Sequence, residues 1–152
     1  MVENLLIFAV RLNPMEQKDY ILREIAKIGT LIMALRRKLF GGGNATATLE
    51  DDHLEEAKEM LLQEGNFDLD LFLSMGQQDS ESYLDSILGF SVENIELLAE
   101  WFYQLGVADA SEQSNKFLEK ALELYELCNL KSRTFSMNRE TMITTIKNTL
   151  KH

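Results

Sequence analysis

The feature that most constrains the fold is a pair of apolar stripes between residues 91 and 130. In each stripe, apolar residues recur at i, i+3, i+4 and i+7, which places them along one face of a helix and requires that face to be buried. Gly106 predicts the end of the first helix, since glycine adopts the left-handed closing conformation at little cost, and Asp109 with Glu112 predicts the start of the second. The sequence therefore predicts two helices folded back on each other. The stripes are Ile95, Leu98, Ala99 and Phe102, followed by Leu118, Ala121, Leu122 and Tyr125.

This helix pair resembles the tetratricopeptide repeat, a helical hairpin with a characteristic series of large, small, aromatic and turn residues. Ser114, Leu118 and Ala121 match its second helix with three extra residues in the turn, and the usual terminal proline is missing. Together with residues 19–41, the chain is similar to a family of uncharacterised bacterial all-helical proteins. The resemblance implies a fold without implying an activity. The first helix matches in register at Ile95, Leu98, Ala99, Phe102 and Gly106.

A second, polar stripe lies on another side of the first helix. In the repeat family this stripe lines a concave peptide groove, so the resemblance implies an acidic groove that binds a basic or amphipathic peptide. The Lys and Asn residues with which some members clamp an acidic C-terminus are absent from these positions. The alternative is an ordinary solvated helix face. The stripe consists of Glu93, Glu96, Glu100, Tyr103 and Gln104.

A long amphipathic helix is predicted over residues 16–40. Its basic end, residues 36–38, suits the negative end of a helix dipole, and this helix could fill the acidic groove of its own chain or of a dimer mate. It could instead lie on an anionic membrane surface, but Glu16, Asp19 and Glu24 weaken that interpretation and favour a core or homodimer helix. Its predicted apolar side is Tyr20, Ile21, Ile25, Ile28, Ile32, Leu35 and Leu39.

The rest of the chain predicts shorter helices that cap the hairpin. A chain of 152 residues with a single proline fits one all-α helical domain, divided into residues 1–43, 44–90 and 91–152. Gly41 to Asn44 is the most plausible linker. Residues 1–14 are expected either to pack on the domain as a short element or to precede a start at Met15. The further predicted helices are residues 48–63, with Leu54, Ala57, Met60 and Leu61 inward, and residues 67–75, 79–88 and 138–151.

Charge is partitioned along the chain more sharply than the net value of −10 indicates. Residues 1–43 carry +3, residues 44–129 carry −17 and residues 130–152 carry +4. An acidic centre of this size repels phosphates and argues against nucleic-acid binding. The apolar run at residues 5–10 lacks the basic flank and length of a secretory signal, and the lone Cys128 excludes an internal disulfide, so a cytoplasmic location is expected.

No pattern of catalytic or cofactor-binding residues emerges. His53 has no second histidine four residues later, as a zinc-binding helix requires. Asp68 and Asp70 alternate like metal ligands, but without the glycine and distal glutamate of a calcium loop. Glycines 41–43 lack the Lys-Ser/Thr of a phosphate loop, and Cys128 is expected to be buried core filler. The sequence thus predicts a non-enzymatic protein-interaction or scaffold module without metal or cofactor, with a membrane-surface or self-assembly role for the N-terminal helix as the alternative.

Overall fold

A computed structural model describes residues 14–41, 51–108 and 112–151, which form seven α-helices without a strand among them. The predicted all-α class is confirmed. The predicted helix starts at residue 48 and at Asp109, the linker after Gly41 and the segment before Pro14 lie outside the described residues. The helices are α1 (Pro14–Phe40), α2 (Asp51–Gly65), α3 (Leu69–Ser74), α4 (Gln77–Asp85), α5 (Val92–Ala108), α6 (Glu112–Ser132) and α7 (Met137–Leu150).

Helix ends follow local sequence signals. α1 begins at Pro14, where a fixed φ suits the first helical turn and the missing N–H costs nothing. Asp68 caps α3 by accepting a hydrogen bond from the Leu71 backbone N–H at 3.1 Å. Ser136 caps α7 in the same way through the backbone N–H of Arg139, at 3.3 Å. These caps satisfy backbone donors that have no partner inside the helix.

Helices α5 and α6 form an antiparallel pair. Near the start of α5, the Cys128 thiol donates to the Val92 carbonyl over 3.6 Å. Further along, the rings of Phe102 and Phe117 lie 5.5 Å apart, edge to face. The C-terminal part of α6 therefore lies beside the N-terminal part of α5, as in an antiparallel pair. Both predicted apolar stripes face this contact, and all their members are buried except the half-buried Leu122.

Gly106 does not end the first helix, as its type had suggested. α5 continues to Ala108, and Gly106 is buried inside it. A Cβ atom at this position would lie 2.7 Å from the Leu118 side chain and 3.2 Å from the Ser114 carbonyl oxygen. The glycine is required by the close approach of α6, because any side chain would push the two helices apart.

α1 packs on the hairpin with the second half of its length. Ile28, Ile32, Leu35 and Leu39 are buried as predicted, and Leu31 joins them. The first half extends beyond this contact. The predicted inward position of Ile21 is wrong, since 38% of it is exposed, and Tyr20 and Ile25 are only half-buried.

Asn94 fixes α1 against the start of α5. Its side-chain amide is buried and donates to the backbone carbonyls of Ile25 at 2.8 Å and of Gly89 at 2.7 Å. Gly89 has φ +105°, and a Cβ there would meet the Glu24 carbonyl oxygen at 2.6 Å. Only glycine allows this turn to approach α1 so closely.

One buried cluster draws residues from all seven helices. α2 packs on α1 through Leu54, Ala57 and Leu61, which are buried as predicted, and Met60 packs at the edge of the core. The aromatic rings in the centre contact one another at centroid distances of 5.0 to 6.0 Å. Within the described ranges, no helix is long and apolar enough to cross a bilayer.

Candidate partner-binding site

The five residues predicted to line a groove all lie on α5, and two of them contact α1. The Arg36 guanidinium donates to Glu100 Oε2 at 3.1 Å and to Gln104 Oε1 at 3.0 Å. Both ion-pair partners are about one-third exposed, at 29% and 32%. The basic N-terminal helix thus meets the acidic stripe within its own chain, as one of the sequence-based alternatives had it.

Glu96 faces a different helix. Its Oε1 atom lies 3.0 Å from Arg139 Nε of α7. The contact is an ion pair rather than an aligned hydrogen bond, because this Nε has no hydrogen-bond partner in the described part of the chain. Arg139 is 6% exposed and is held by donating to Asn129 Oδ1 and Ser132 Oγ, both at 3.0 Å. Sequence reasoning missed Arg139, because nothing in the spacing relates α7 to α5.

The other two predicted residues differ in exposure. Glu93 is exposed, and Tyr103 is half-buried with its ring packed against the core. The stripe therefore divides into a part covered by α1, a part beside α7 and an open end at Glu93. The predicted partner-binding role of these residues stays a prediction.

Burial raises the pKa of one acid in the stripe and of two groups beneath it. Burial raises the pKa of Glu100, and Arg36 opposes that rise. Burial also raises the pKa of the Tyr125 hydroxyl, with the charges of Glu100 and Glu96 adding to the effect. The pKa of the Cys128 thiol rises to about 12, chiefly through burial and then through Glu96. Cys128 is therefore a protonated, inaccessible thiol at neutral pH, as expected for core filler.

A buried lysine ties three helices together and was missed in the sequence, where it resembles any exposed helix charge. Lys120 is 4% exposed, and its ammonium donates to the Met75 carbonyl at 2.6 Å, to Glu123 Oε2 at 2.9 Å and to Ser80 Oγ. It also lies 5.0 Å from the centre of the Phe72 ring. The cluster is a structural connection between α3, α4 and α6.

The two acids that resembled metal ligands have structural partners. Asp68 caps α3, and Asp70 forms an ion pair with Lys58 of α2 at 3.1 Å. Among the described residues, no group of three or more His, Cys, Asp or Glu side chains is placed to hold a metal ion. His53 is exposed on α2.

A concave surface lies away from the stripe, between α1 and α2. It is an open groove of about 690 Å³, whose walls include Ala26, Thr30 and Ala34 of α1 and Met60 of α2. Small side chains on the α1 wall leave room for another helix to approach closely. Comparison of the chain with family models, curated proteins and solved structures found no match. The geometry of these two surfaces therefore carries the functional argument.

Proposed function

We propose that this protein is a non-enzymatic protein-interaction module that binds a basic or amphipathic helical segment at the acidic stripe of α5. The α5–α6 pair would act as a tetratricopeptide-like hairpin in a bacterial protein family, with Glu93 and Glu96 at the open end of its binding face. The observation that carries the proposal is the contact of Arg36 with Glu100 and Gln104, in which a basic amphipathic helix already lies against this stripe.

The chemistry of the stripe supports arginine-rich ligands. Carboxylates at two successive turns of α5 each form an ion pair with a guanidinium, from two different helices, and arginine is well suited to ion pairs of this kind. At the open end, Glu93 is exposed and has no partner within the described ranges. Glu96 engages Arg139 through Oε1, while its side chain keeps 30% of its surface exposed. A bound basic segment can therefore add contacts at this end without displacing α1 or α7.

The direct test measures binding of a synthetic amphipathic helical peptide whose polar face carries Lys and Arg. We expect the wild type to bind this peptide and to reject a matched peptide with Glu at those positions. Glu93→Lys should weaken binding by about tenfold, since a like-charge contact replaces an attractive one at the partly solvated edge of an interface. Glu59→Lys on α2 is the matched control, because Glu59 is also exposed and the change in net charge is equal.

The pair of variants separates local recognition from the attraction of an acidic protein for any cation. Equal weakening by Glu93→Lys and Glu59→Lys would mean that only net charge matters, and the stripe would lose its role. Glu100→Lys is unsuitable for this purpose. It would set a lysine against Arg36 and so disturb the packing of α1.

A further inference from the structure

The outer face of α1, opposite its buried side, carries an apolar stripe that lies outside the buried core formed by the described residues. Met15 is 79% exposed, Leu22 is 52% exposed and Met33 is 48% exposed. Ala26 lies between them on the same side, since steps of 7, 4 and 7 residues return to one face of a helix. Ile32, on the buried side, is fully enclosed. The outer stripe is therefore a separate surface from the one that stabilises the fold.

Unpaired charges of opposite sign lie at the two ends of this stripe. Of the three basic residues that end α1, Arg36 pairs with Glu100 and Lys38 pairs with Glu56 at 2.8 Å. Arg37 points outward instead, is exposed and has no side-chain partner in the described part of the chain. Asp19, toward the other end, is likewise exposed and without such a partner. The two are 18 residues apart, about 27 Å along the helix, and cannot pair with each other in one molecule.

We infer that α1 binds α1 of a second copy of this chain, antiparallel, with the two-fold axis at the level of Ile28. This arrangement places Asp19 of each copy against Arg37 of the other and Leu22 of each against Met33 of the other. In the sequence, both pairs are centred on position 28 to within one residue, so one two-fold axis relates them all. A two-fold interface requires this reciprocity, in which residue i contacts j and j contacts i.

The neighbouring surface fits the same arrangement. Ala26 and Thr30 lie near the axis, where small side chains allow two helix backbones to approach closely. They also form the wall of the groove between α1 and α2, whose volume of about 690 Å³ accommodates side chains of the second α1 at its edge. A membrane surface fits less well, because Asp19 lies on the outer face and would be repelled by anionic lipid.

This inference concerns α1 and does not depend on the proposed role of α5, so the two can fail separately. The test is the molar mass of the full chain in solution, measured by sedimentation equilibrium over a range of concentrations up to millimolar. We expect a monomer–dimer equilibrium in the wild type. Asp19→Arg and Arg37→Asp should each raise the dimer Kd about tenfold, since each removes two symmetric exposed ion pairs and creates like-charge contacts.

The decisive variant combines both changes. Asp19→Arg with Arg37→Asp should restore the wild-type Kd, because the exchanged charges still meet between copies. This rescue does not occur in a parallel pairing, where the two positions do not face each other. Met33→Glu should weaken the dimer at least about 100-fold, as removal of a central apolar contact does at protein interfaces.

Met137→Glu is the matched control for Met33→Glu, because Met137 is 73% exposed and lies at the start of α7 rather than on α1. It should leave the Kd unchanged, and circular dichroism should show the same helix content in all variants. A wild type that remains monomeric at millimolar concentration overturns the inference. So does a dimer that survives Met33→Glu or is not rescued by the double charge exchange.

Discussion

Replacing Lys120 with methionine is the sharpest test of how the core is held together. The ammonium of Lys120 is buried and donates hydrogen bonds to the backbone carbonyl of Met75, to the Ser80 hydroxyl and to the Glu123 carboxylate. Methionine keeps the length and apolar character of the side chain, so the variant removes the charge without creating a large cavity. The stability change therefore reports the polar contacts.

The expected loss of stability follows from the groups that no longer accept a hydrogen bond once the ammonium is removed. Glu123 is 30% exposed and can regain water, so its share of the loss is small. The hydroxyl of Ser80, which is 4% exposed, and the carbonyl of Met75 lose their donor. Each unsatisfied buried polar group costs about 1–3 kcal/mol, and the gain of an apolar group offsets part of that, so we expect a net loss of about 2–3 kcal/mol. The corresponding decrease in Tm is about 4–12 °C for a chain of this size.

Urea denaturation followed by circular dichroism measures this loss directly. Lys116→Met is the matched control, because Lys116 is exposed one turn earlier on α6, and its free energy of unfolding should change by no more than about 0.5 kcal/mol. In a Ser80→Ala background, Lys120→Met should cost about 1 kcal/mol less, since one of the abandoned acceptors is already gone. If Lys120→Met is as harmless as Lys116→Met, the lysine does not hold these helices together.

Three further outcomes are expected. Gly89→Ala should lower the free energy of unfolding by about 2–4 kcal/mol, measured by urea denaturation, because the new Cβ combines a left-handed φ of +105° with a backbone oxygen at 2.6 Å; a loss below 1 kcal/mol would contradict the close approach. Tyr125→Phe should leave stability unchanged or higher, because the buried hydroxyl of Tyr125 has no hydrogen-bond partner among the described residues. Tyr83→Phe, in contrast, should lower the free energy of unfolding by about 1 kcal/mol, because it removes the hydroxyl that accepts from the Asp68 backbone N–H at 2.8 Å. Burial raises the pKa of the Cys128 thiol to about 12 in the folded state. The contribution of this shift to the free energy of unfolding is fully present below the ordinary thiol pKa. It is lost as pH rises from 9 toward 12, because only the unfolded chain ionises in that range. Cys128→Ala should flatten that decline in unfolding free energy, and an unchanged slope would contradict the assignment.

The hairpin could be predicted because the buried face of a helix requires apolar residues at regular spacing in the sequence. Ile95, Leu98 and Phe102 are all fully buried, as their spacing indicated. Gly106 was misread because the same residue type serves two purposes, ending a helix or admitting a neighbouring one, and only the position of α6 distinguishes them.

Contacts between distant helices were beyond reach of the sequence. Lys120 has the same local context whether it points to solvent or into the core, and its acceptors at Met75 and Ser80 are about 40 residues away. Arg139 was missed for a similar reason, since no rule of spacing pairs an arginine on the last helix with Glu96. The acidic stripe and the basic end of α1 were visible in the sequence, but the pairing of Arg36 with Glu100 and of Arg139 with Glu96 was not.

The contact between Arg36 and Glu100 also has a consequence for the order of events during synthesis. The two residues are 64 positions apart, whereas α5, α6 and α7 follow one another closely in the chain. At about 5–20 residues per second, a ribosome needs about 3–13 s after making Arg36 before Glu100 exists. During that interval Ile28, Ile32 and Leu35 have no hairpin to cover them. The nascent α1 therefore exposes an apolar face that the finished protein buries.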